Sequence, residues 1–438
     1  MIEIVDYRSG AELPPKLGEI LNRQAGIPED IEEAVRTIIA DVRTDGDAAL
    51  SRCSERFDGV ALSPEQFRIP SQVMTDARQS VNGDLLEAID AAAANIRAFH
   101  ERQRSNSWFM DDGDAVVLGK KVTALHRVGI CVPGGAAPLI SSLLMAAVPA
   151  QVAGVDEICI VTPPQSDGLP HPDLLAAAFH VGIDEVYALG GAHAVAALAY
   201  GTASVSSVDK IVGPGGPYTV AAKRQVYGVV GIEMVPGPSE IVVLADENAD
   251  PAFVAADLLS QAEHGSGFEA SVCITPCAKL AEAVQRQVEQ QALALPRRES
   301  IEVALDRFGA IVLVPDLDVG IDLVNRLAPE HLELLVEDPW ELLGDVRDAG
   351  AVFLGEAATE PVGDYYAGTN HVLPTNGAAR FASSLGLADF VKTSSIVAYS
   401  RQRLLKTADH ITRLARAEGF EAHARAVEVR LERWRQSS

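Results

Sequence analysis

The sequence predicts an α/β protein with two parallel sheets, a helical N-terminal region and a helical C-terminal arm. Three observations support this fold class. Two successive series of short apolar segments alternate with helical patterns, the segments of the first series end in Gly- or Pro-rich turns, and the chain beyond Pro374 returns to a mainly helical pattern. Such alternation is typical of βαβ units, whose strands pair in parallel and carry helices on the sheet faces.

The first 110 residues are predicted to be mostly helical. Residues 27–59 carry apolar side chains at three- and four-residue spacing, and Gly46 and Gly59 interrupt the pattern. Residues 83–105 form a second segment of the same kind. This spacing places the apolar side chains on one face of a helix.

The first α/β series begins at residue 127. Its predicted strands cover 127–132, 156–162, 184–189 and 208–213, and its helices cover 138–154, 171–182, 192–201 and 218–228. Because ligands of parallel sheets bind at the carboxyl ends of strands, the turns PGG (133–135) and GPGG (213–216) are a candidate phosphate-binding edge. Ordinary turn chemistry is the simpler explanation of either loop alone. Neither a GxGxxG after a strand nor a P-loop motif is present.

The second α/β series begins at residue 240. Its predicted strands cover 240–246, 270–276, 309–315, 332–337 and 351–355, and its helices cover 251–263, 277–293, 317–327 and 339–348. The chain ends in an amphipathic segment, 411–436, that is interrupted at Gly419. No low-complexity linker separates these parts, so the sequence predicts tightly packed domains.

Composition excludes some classes of partner. The 438 residues include 36 Lys and Arg against 61 Asp and Glu, a formal charge of −25. Such a chain repels phosphate backbones, and it carries no local basic stripe, so a nucleic-acid partner is not expected. The uncharged stretch from Val128 to Val155 is broken by Pro and Gly residues, so no membrane span is expected either.

The cysteines and the N-terminus indicate the cytoplasm. The N-terminus has acidic residues where a signal peptide would be basic and then apolar. The five cysteines are an odd number and are scattered through mostly apolar runs: Cys53, Cys131, Cys159, Cys273 and Cys277. This pattern favours reduced, buried thiols over a disulfide framework.

Four pairs of polar residues in turn-bounded settings are candidates for chemistry. They are Gln261 with His264, Glu330 with His331, Asp364 with His371, and Glu418 with His423. Each pair alone is explained as well by helix caps, surface polarity or a satisfied core histidine. Together, Gln, His and Asp donors suit Zn²⁺ rather than a soft thiolate site, and a Glu–His pair beside them would supply general-base chemistry.

Long motifs in order along nearly the whole chain resemble the histidinol dehydrogenase family. They include VGICVPGGAAPLISSLLM, GGAHAVAALAYGT, VDKIVGPGG, GPSEIVVLAD, DLLSQAEHG, APEHLEL, GDYYAGTNHVLPT and ARAEGFEAH. The resemblance implies two Rossmann-like α/β domains in a zinc- and NAD-dependent homodimer. It also implies oxidation of an alcohol to an aldehyde and then to a carboxylate.

The resemblance assigns the site residue by residue. The zinc ligands fall on Gln261, His264 and Asp364 of one subunit and on His423 of the other, with one Zn²⁺ per subunit. The catalytic pair is Glu330, which would activate water, and His331, the general base. The residues implied to bind substrate are Ser141, Ser239, Gln261, His264, His331, Asp364, His371, Glu418 and His423.

This chain departs from the family at three positions that the family uses to contact NAD. Cys131 replaces the usual Tyr, His193 the usual Gln and Gly216 the usual Asn. His126 is a further unexpected histidine. Three departures at one ligand suggest weaker or altered cofactor binding, whereas the zinc and substrate positions match fully.

The same resemblance implies the domain organisation. An N-terminal segment would cover 1–24, a discontinuous α/β domain with the zinc site 25–126 and 237–377, a second α/β domain 127–236, and a helical dimerisation arm 378–438. The arm is expected to carry His423 into the partner's site.

Three functions are weighed. The first is NAD-dependent oxidation of L-histidinol to L-histidine via histidinaldehyde, and retention of Ser239, His331, His371 and Glu418 favours it. The second is oxidation of another small polar primary alcohol, such as a dihydroxypropanesulfonate, which His126 and the altered cofactor positions favour. The third is a zinc- and ligand-binding protein that has lost NAD use, and the retained Glu330–His331 pair argues against it.

Overall fold

The computed structural model describes residues 2–9, 12–23, 26–134 and 138–436. Gly135 of the predicted PGG loop lies outside these residues, as do parts of the predicted segment 1–24 and the last two residues of the predicted arm. The chain divides into two compact units, Met1–Gln103 with Leu125–Phe390, and Arg104–Ala124 with Val391–Ser438. The domain boundaries drawn from the resemblance stay a prediction.

The strands, in chain order, are β1 (Glu3–Asp6), β2 (Trp108–Asp111), β3 (Val117–Ala124), β4 (Arg127–Cys131), β5 (Glu157–Thr162), β6 (Val186–Ala188), β7 (Lys210–Val212), β8 (Gly231–Ile232), β9 (Glu240–Ala245), β10 (Ala270–Thr275), β11 (Gly309–Leu313), β12 (His331–Leu335), β13 (Ala351–Leu354) and β14 (Val391–Ala398). The α-helices are α1 (Pro15–Leu21), α2 (Glu29–Asp45), α3 (Asp47–Cys53), α4 (Pro64–Phe67), α5 (Ser71–Ser80), α6 (Gly83–Glu101), α7 (Ile140–Ala153), α8 (Pro172–His180), α9 (Gly191–Tyr200), α10 (Pro217–Val226), α11 (Pro251–Ala262), α12 (Ala278–Ala292), α13 (Arg298–Phe308), α14 (Leu317–Leu327), α15 (Pro339–Leu343), α16 (Glu360–Tyr365), α17 (Arg401–Ala417) and α18 (Glu421–Gln436). Short π- and 3₁₀-helical turns lie at Ser54–Asp58, Ala378–Arg380 and Leu387–Phe390.

The first unit contains the two predicted parallel sheets. One has the strand order β6-β5-β4-β7-β8 and the other β1-β11-β10-β9-β12-β13, with parallel pairing throughout. The chain order changes direction between β4 and β7 in the five-stranded sheet and between β9 and β12 in the six-stranded sheet, to which the N-terminal β1 adds an edge. These are the switch points at which doubly wound folds bind ligands. The predicted α/β fold class is confirmed.

Both sheets are buried on their two faces. Ile241 and Val243 of β9 pack into one core while Val242 and Leu244 pack into another, as the two-residue period of a strand requires. Within the uncharged stretch 128–155, the described residues include β4 and the buried α7 as separate elements. Among the described residues, none of the helices is both long and apolar enough to cross a membrane.

Some elements differ from the sequence prediction. The region after Pro374 is not purely helical, because it contains β14, which pairs antiparallel with β3 in the three-stranded sheet β14-β3-β2 of the second unit. Most of β14 is exposed, so it lacks the alternating apolar pattern that would have revealed it. The edge strand β1 and helix α13 were not predicted, and the helix predicted over 339–348 ends at Leu343.

The second unit consists of this antiparallel sheet and the two helices α17 and α18. Gly419 separates the helices with a φ of 79°, a conformation that glycine adopts without strain, and this confirms the predicted interruption. Arg403 of α17 donates to Asp112 and Asp114 in the turn between β2 and β3.

Candidate active site

The Glu–His pair lies where the neighbouring strands β9 and β12 of the six-stranded sheet begin. His331 is the first residue of β12 and is in register with Ile241, the second residue of β9. Glu330 and His331 are both buried. The pair therefore sits at the amino ends of these strands, opposite to the carboxyl edge where ligands of parallel sheets usually bind.

A single residue of β9 holds both side chains of the pair. The backbone N–H of Glu240 donates to Oε2 of Glu330 over 2.9 Å, and the backbone carbonyl of Glu240 accepts from Nδ1 of His331 over 3.0 Å. The hydroxyl of Ser239 also donates to Oε2 of Glu330, over 2.6 Å. Because a carbonyl can only accept, Nδ1 of His331 carries its hydrogen and Nε2 is the basic nitrogen of the neutral ring.

Helix α16 brings a carboxylate to that basic nitrogen. Oδ1 of Asp364 lies 3.6 Å from Nε2 of His331, and the N–H of Glu360 donates to Oε1 of Glu333 over 2.8 Å. The spacings match, because two residues along a strand span about 6.7 Å and four along a helix about 6 Å. Positions 331 and 333 of β12 thus face positions 364 and 360 of α16.

The charges around His331 oppose the effect of its burial. Burial alone would lower the pKa of its imidazole, but the negative charges of Glu330 and Asp364 raise it well above the ordinary value. Burial likewise acts to raise the pKa of Asp364, yet His331 and His371 hold it below its usual range. The site therefore stabilises a proton on His331 between two carboxylates.

His371 lies in the loop that follows α16, and its ring is held by contacts with α16 and α7. Its Nδ1 donates to the backbone carbonyl of Asp364 over 3.0 Å, and its Nε2 accepts from the hydroxyl of Ser142 over 3.3 Å. Burial lowers the pKa of this imidazole. The serine that contacts His371 is thus Ser142, whereas the neighbouring Ser141, named by the sequence reasoning, is only partly buried.

The donor set at this place suits a hard or borderline cation. Ligand atoms of His331, Glu360 and Asp364 lie within 4.8 Å of one another. Gln261, on the last turn of α11, is fully buried, yet its amide oxygen and nitrogen have no hydrogen-bond partner among the residues that the structure describes. A buried amide without a partner is costly, and nitrogen and oxygen ligands of this type are those that Zn²⁺ accepts.

Other contacts bring α11 beside α16, on the same side of the sheet. The hydroxyl of Thr359 donates to Asp257 over 2.6 Å, and Ser260 lies close enough to Glu360 to act on the pKa of that carboxyl, lowering it against the effect of burial. Gln261 follows directly after Ser260. His264 is exposed just beyond the end of this helix. In the second unit, Glu418 follows α17 and His423 lies in the first turn of α18 with its ring centroid 5.0 Å from that of Phe420.

Two of the three positions named for the cofactor line one cavity. A cavity of about 210 Å³ opens at the carboxyl ends of β4 to β7, and Cys131 and Gly216 are among its lining residues. Gly134 and Gly190 keep it open, since a Cβ at either would lie 2.8 Å from Thr162 or Pro163. The cavity stands at the switch point between β4 and β7, where the phosphates of a dinucleotide approach backbone in such folds.

His193 does not face this cavity. It lies on α9 with Nε2 3.7 Å from Oδ2 of Asp58, and its ring stacks at 6.4 Å against Phe57. Burial lowers the pKa of His193 to about 4 and raises that of Asp58 to about 6. His126 has an exposed side chain at the surface, 4.0 Å from Glu157.

Comparison with known proteins identifies the family of this chain. The family profile described as histidinol dehydrogenase matches residues 21–431. The chain belongs to the histidinol dehydrogenase family. It is 52% identical to the histidinol dehydrogenase of Geobacillus kaustophilus over 92% of this chain and 95% of that protein. It is 50% identical to that of Halalkalibacterium halodurans over 94% and 97% of the two chains.

A solved structure agrees with this assignment. The crystal structure of histidinol dehydrogenase from Elizabethkingia anophelis superposes with a TM-score of 0.92 and 35% identity, and the match covers 99% of both chains. The family expected from the motifs is therefore confirmed, together with its α/β fold.

Sequence reasoning missed three carboxylates of this candidate site. Glu240, Glu333 and Glu360 were not singled out, although Glu360 stands four residues before Asp364 on the helical side of the motif. That i, i+4 spacing is a signal that could have found it. No sequence signal pointed to Glu240, because its backbone and not its side chain contacts the Glu–His pair.

Glu333 makes the stability of this family member depend on pH. Burial and then the neighbouring Asp257 raise its pKa to about 9. The folded protein therefore keeps a proton there that the unfolded chain loses above pH ~4.5, and this contribution to stability is lost as pH rises toward 9. We expect Glu333→Gln, which cannot titrate, to gain stability relative to the wild type over that range, by up to about 1.4 kcal/mol per pH unit.

Urea denaturation at pH 5, 7 and 9 measures this difference. Glu302→Gln, at a partly exposed position paired with Arg298, is the matched control and should leave the pH dependence unchanged. Parallel stability curves for Glu333→Gln and wild type would mean that Glu333 holds no extra proton in the folded state.

Proposed function

We propose that the protein oxidises L-histidinol to L-histidine through histidinaldehyde, in two successive hydride transfers to NAD. The observation that carries this proposal is the buried Glu330–His331 pair, held by Glu240, with the carboxylates of Asp364 and Glu360 close to the His331 ring. About 50% identity to histidinol dehydrogenases over more than nine-tenths of the chain supports the same substrate.

One zinc ion per subunit would be held by Gln261, His264 and Asp364 and by His423 of a second copy. The unpartnered amide of Gln261 and the carboxylate of Asp364 fit such an ion. When bound, zinc supplies a Lewis acid that orients the substrate and polarises its reacting group. The substrate pocket would also include Ser141, Ser239, His371 and Glu418.

The chain's own groups supply the proton transfers. Nε2 of His331 would take the hydroxyl proton of the alcohol as NAD accepts the hydride, and the flanking carboxylates of Glu330 and Asp364 would stabilise the imidazolium that results. Oε2 of Glu330, fixed by the Ser239 hydroxyl and the Glu240 N–H, would take a proton from the water that attacks the aldehyde. A second hydride then passes to NAD, and loss of a third proton gives the carboxylate.

NAD would occupy the cavity at the carboxyl ends of β4 to β7. Cys131 and Gly216 line it, and the backbone of the loop after β7 can approach a phosphate there because Gly215 and Gly216 carry no Cβ. Cys131 and Gly216 are small residues, and His193 faces Asp58 instead of the cavity. These three positions support a cofactor affinity weaker than is usual for the family. NAD would supply the redox chemistry.

The active protein would be a cytoplasmic homodimer with shared sites. Large apolar side chains of the second unit are exposed in the single chain, including Trp108, Phe109, Val397 and Leu414. Apolar surface of this kind is typical of a face that another chain covers. A second copy of the chain would cover it and would contribute His423 to the first copy's site.

Turnover with defined cofactors tests the function. Zinc-loaded protein with NAD should produce two NADH per histidinol, and removal of zinc with a chelator should abolish the absorbance change until zinc is restored. A parallel panel includes 2,3-dihydroxypropanesulfonate as the alternative substrate, which His126 and the altered cofactor positions favour. Turnover of that diol but not of histidinol would move the protein to the alternative function. Absence of NADH with every alcohol would contradict both.

A further inference from the structure

The backbone groups of Glu240 bind side chains of the neighbouring strand region, the carboxylate of Glu330 and the ring of His331. In a parallel sheet the N–H and C=O of one residue point to the same neighbouring strand. For Glu240 that neighbour is β12, and both groups bind catalytic side chains, the N–H to Glu330 and the C=O to His331. The adjacent Ser239 faces the other way, where its carbonyl accepts from the N–H of Ala270.

The geometry of the catalytic pair therefore depends on where this one residue is held. Glu240 is the first residue of β9, and no regular structure precedes it from residue 233 to residue 239. The register of β12 on β9 gives the Glu240 carbonyl a backbone partner in His331, but the Glu240 N–H is bound to the Glu330 side chain instead of to the ladder. The side chain of Glu240 adds a further anchor at this end of the strand.

That side chain is buried and meets two partners from distant parts of the chain. Nη2 of Arg23 lies 3.1 Å from Oε1 of Glu240, and the backbone N–H of Asn376 donates to the same oxygen. Nη2 of Arg23 also donates to Oδ1 of Asn376 over 3.1 Å, so the three residues close a ring of contacts. The guanidinium lies 5.6 Å from the centroid of the Phe308 ring.

We propose that Arg23 is a positioning residue of the active centre. It holds the carboxylate of Glu240 and, through the backbone of that residue, the orientation of Glu330 and the ring of His331. The kinetic part of this inference rests on the proposed function. A general base displaced by about 1 Å can lose on the order of 10²-fold in rate.

Arg23→Met, which keeps the length of the side chain without its charge, is the decisive variant. We expect kcat for histidinol to fall about 10- to 100-fold with a smaller change in KM. Arg23→Lys, which keeps the charge, should recover most of that loss. The matched control is Arg127→Met, at the start of β4, which breaks another buried Arg–Glu contact, that with Glu185, and should lower stability while leaving kcat within about twofold.

A second measurement does not depend on the substrate. In the zinc-loaded protein, proton NMR should show a downfield, slowly exchanging signal from the Nδ1–H of His331, assigned by its absence in His331→Gln. This signal should persist in Arg127→Met and should shift and exchange faster in Arg23→Met. If wild type turned over no histidinol, the proposed function would fail and this signal alone would decide the inference.

The outcomes separate a positioning role from a merely structural one. Arg23→Met that is less stable but keeps both kcat and the His331 signal overturns the proposal, as does a loss of kcat with the signal unchanged. If Arg23→Met did not fold, Arg23→Gln would replace it, and the same two readouts would decide.

Discussion

His331→Gln should abolish both oxidation steps and leave zinc bound. The basic nitrogen of His331 is set by the hydrogen bond from Nδ1 to the Glu240 carbonyl, and a glutamine amide cannot take a proton there. General-base catalysis contributes about 10²- to 10⁴-fold, so kcat/KM should fall within that range. Steady-state NADH formation and metal analysis of the purified variant measure the two parts of this prediction.

A histidine outside the site provides the control. His180 is partly buried at the end of α8 with its Nε2 2.7 Å from Oδ1 of Asp90, and His180→Gln should keep wild-type turnover.

Glu330→Gln should separate the two steps, because it removes the carboxylate assigned to the water but keeps His331. A single turnover of that variant should therefore yield one NADH per substrate. Alcohol oxidation retained by His331→Gln would show that the base is wrongly assigned.

The sequence predicted the parallel sheets well because their strands are buried on both faces. Strands such as β9 and β10 appear as continuous apolar runs bounded by turn residues, and that signal survives without any knowledge of the fold. Strand β14 is mostly exposed and gave no such signal. The edge strand β1 contributes four residues to a sheet otherwise formed by strands from 240 onward, a pairing that no local pattern reports.

The candidate site was predictable only where chemistry resides in side chains with a distinctive pattern. Glu330 and His331 are adjacent in APEHL, and Asp364 and His371 share one loop motif, so the motifs indicated them. Glu240 acts through its backbone, and Arg23 acts through Glu240 across 217 positions of sequence. Such roles follow from strand register and long-range packing, which a single sequence does not contain.

Two inactive variants should restore activity to each other if sites are shared between subunits. Asp364→Ala removes a ligand that each site would take from its own chain, and His423→Ala removes one that it would take from the partner. Either homodimer should lose on the order of 10²-fold or more in kcat, because each of its sites lacks a ligand. In a mixed dimer, one site carries both lesions and the other carries none. Random mixing makes half of the dimers mixed, so about a quarter of wild-type activity should return.

The matched control pairs Asp364→Ala with Gln261→Ala. Both residues lie in the first compact unit, on α16 and α11, which neighbouring contacts bring together within one chain. Each site of that mixed dimer retains one lesion, so no activity should return. Differently tagged chains, co-expressed and purified through both tags, isolate the mixed dimers for assay, and isolated Asp364→Ala/His423→Ala dimers should show about half of wild-type activity because one of their two sites is intact. Mixed Asp364→Ala/His423→Ala dimers without activity would mean that His423 serves the site of its own chain, and the dimer would then be unnecessary for assembling the zinc ligands.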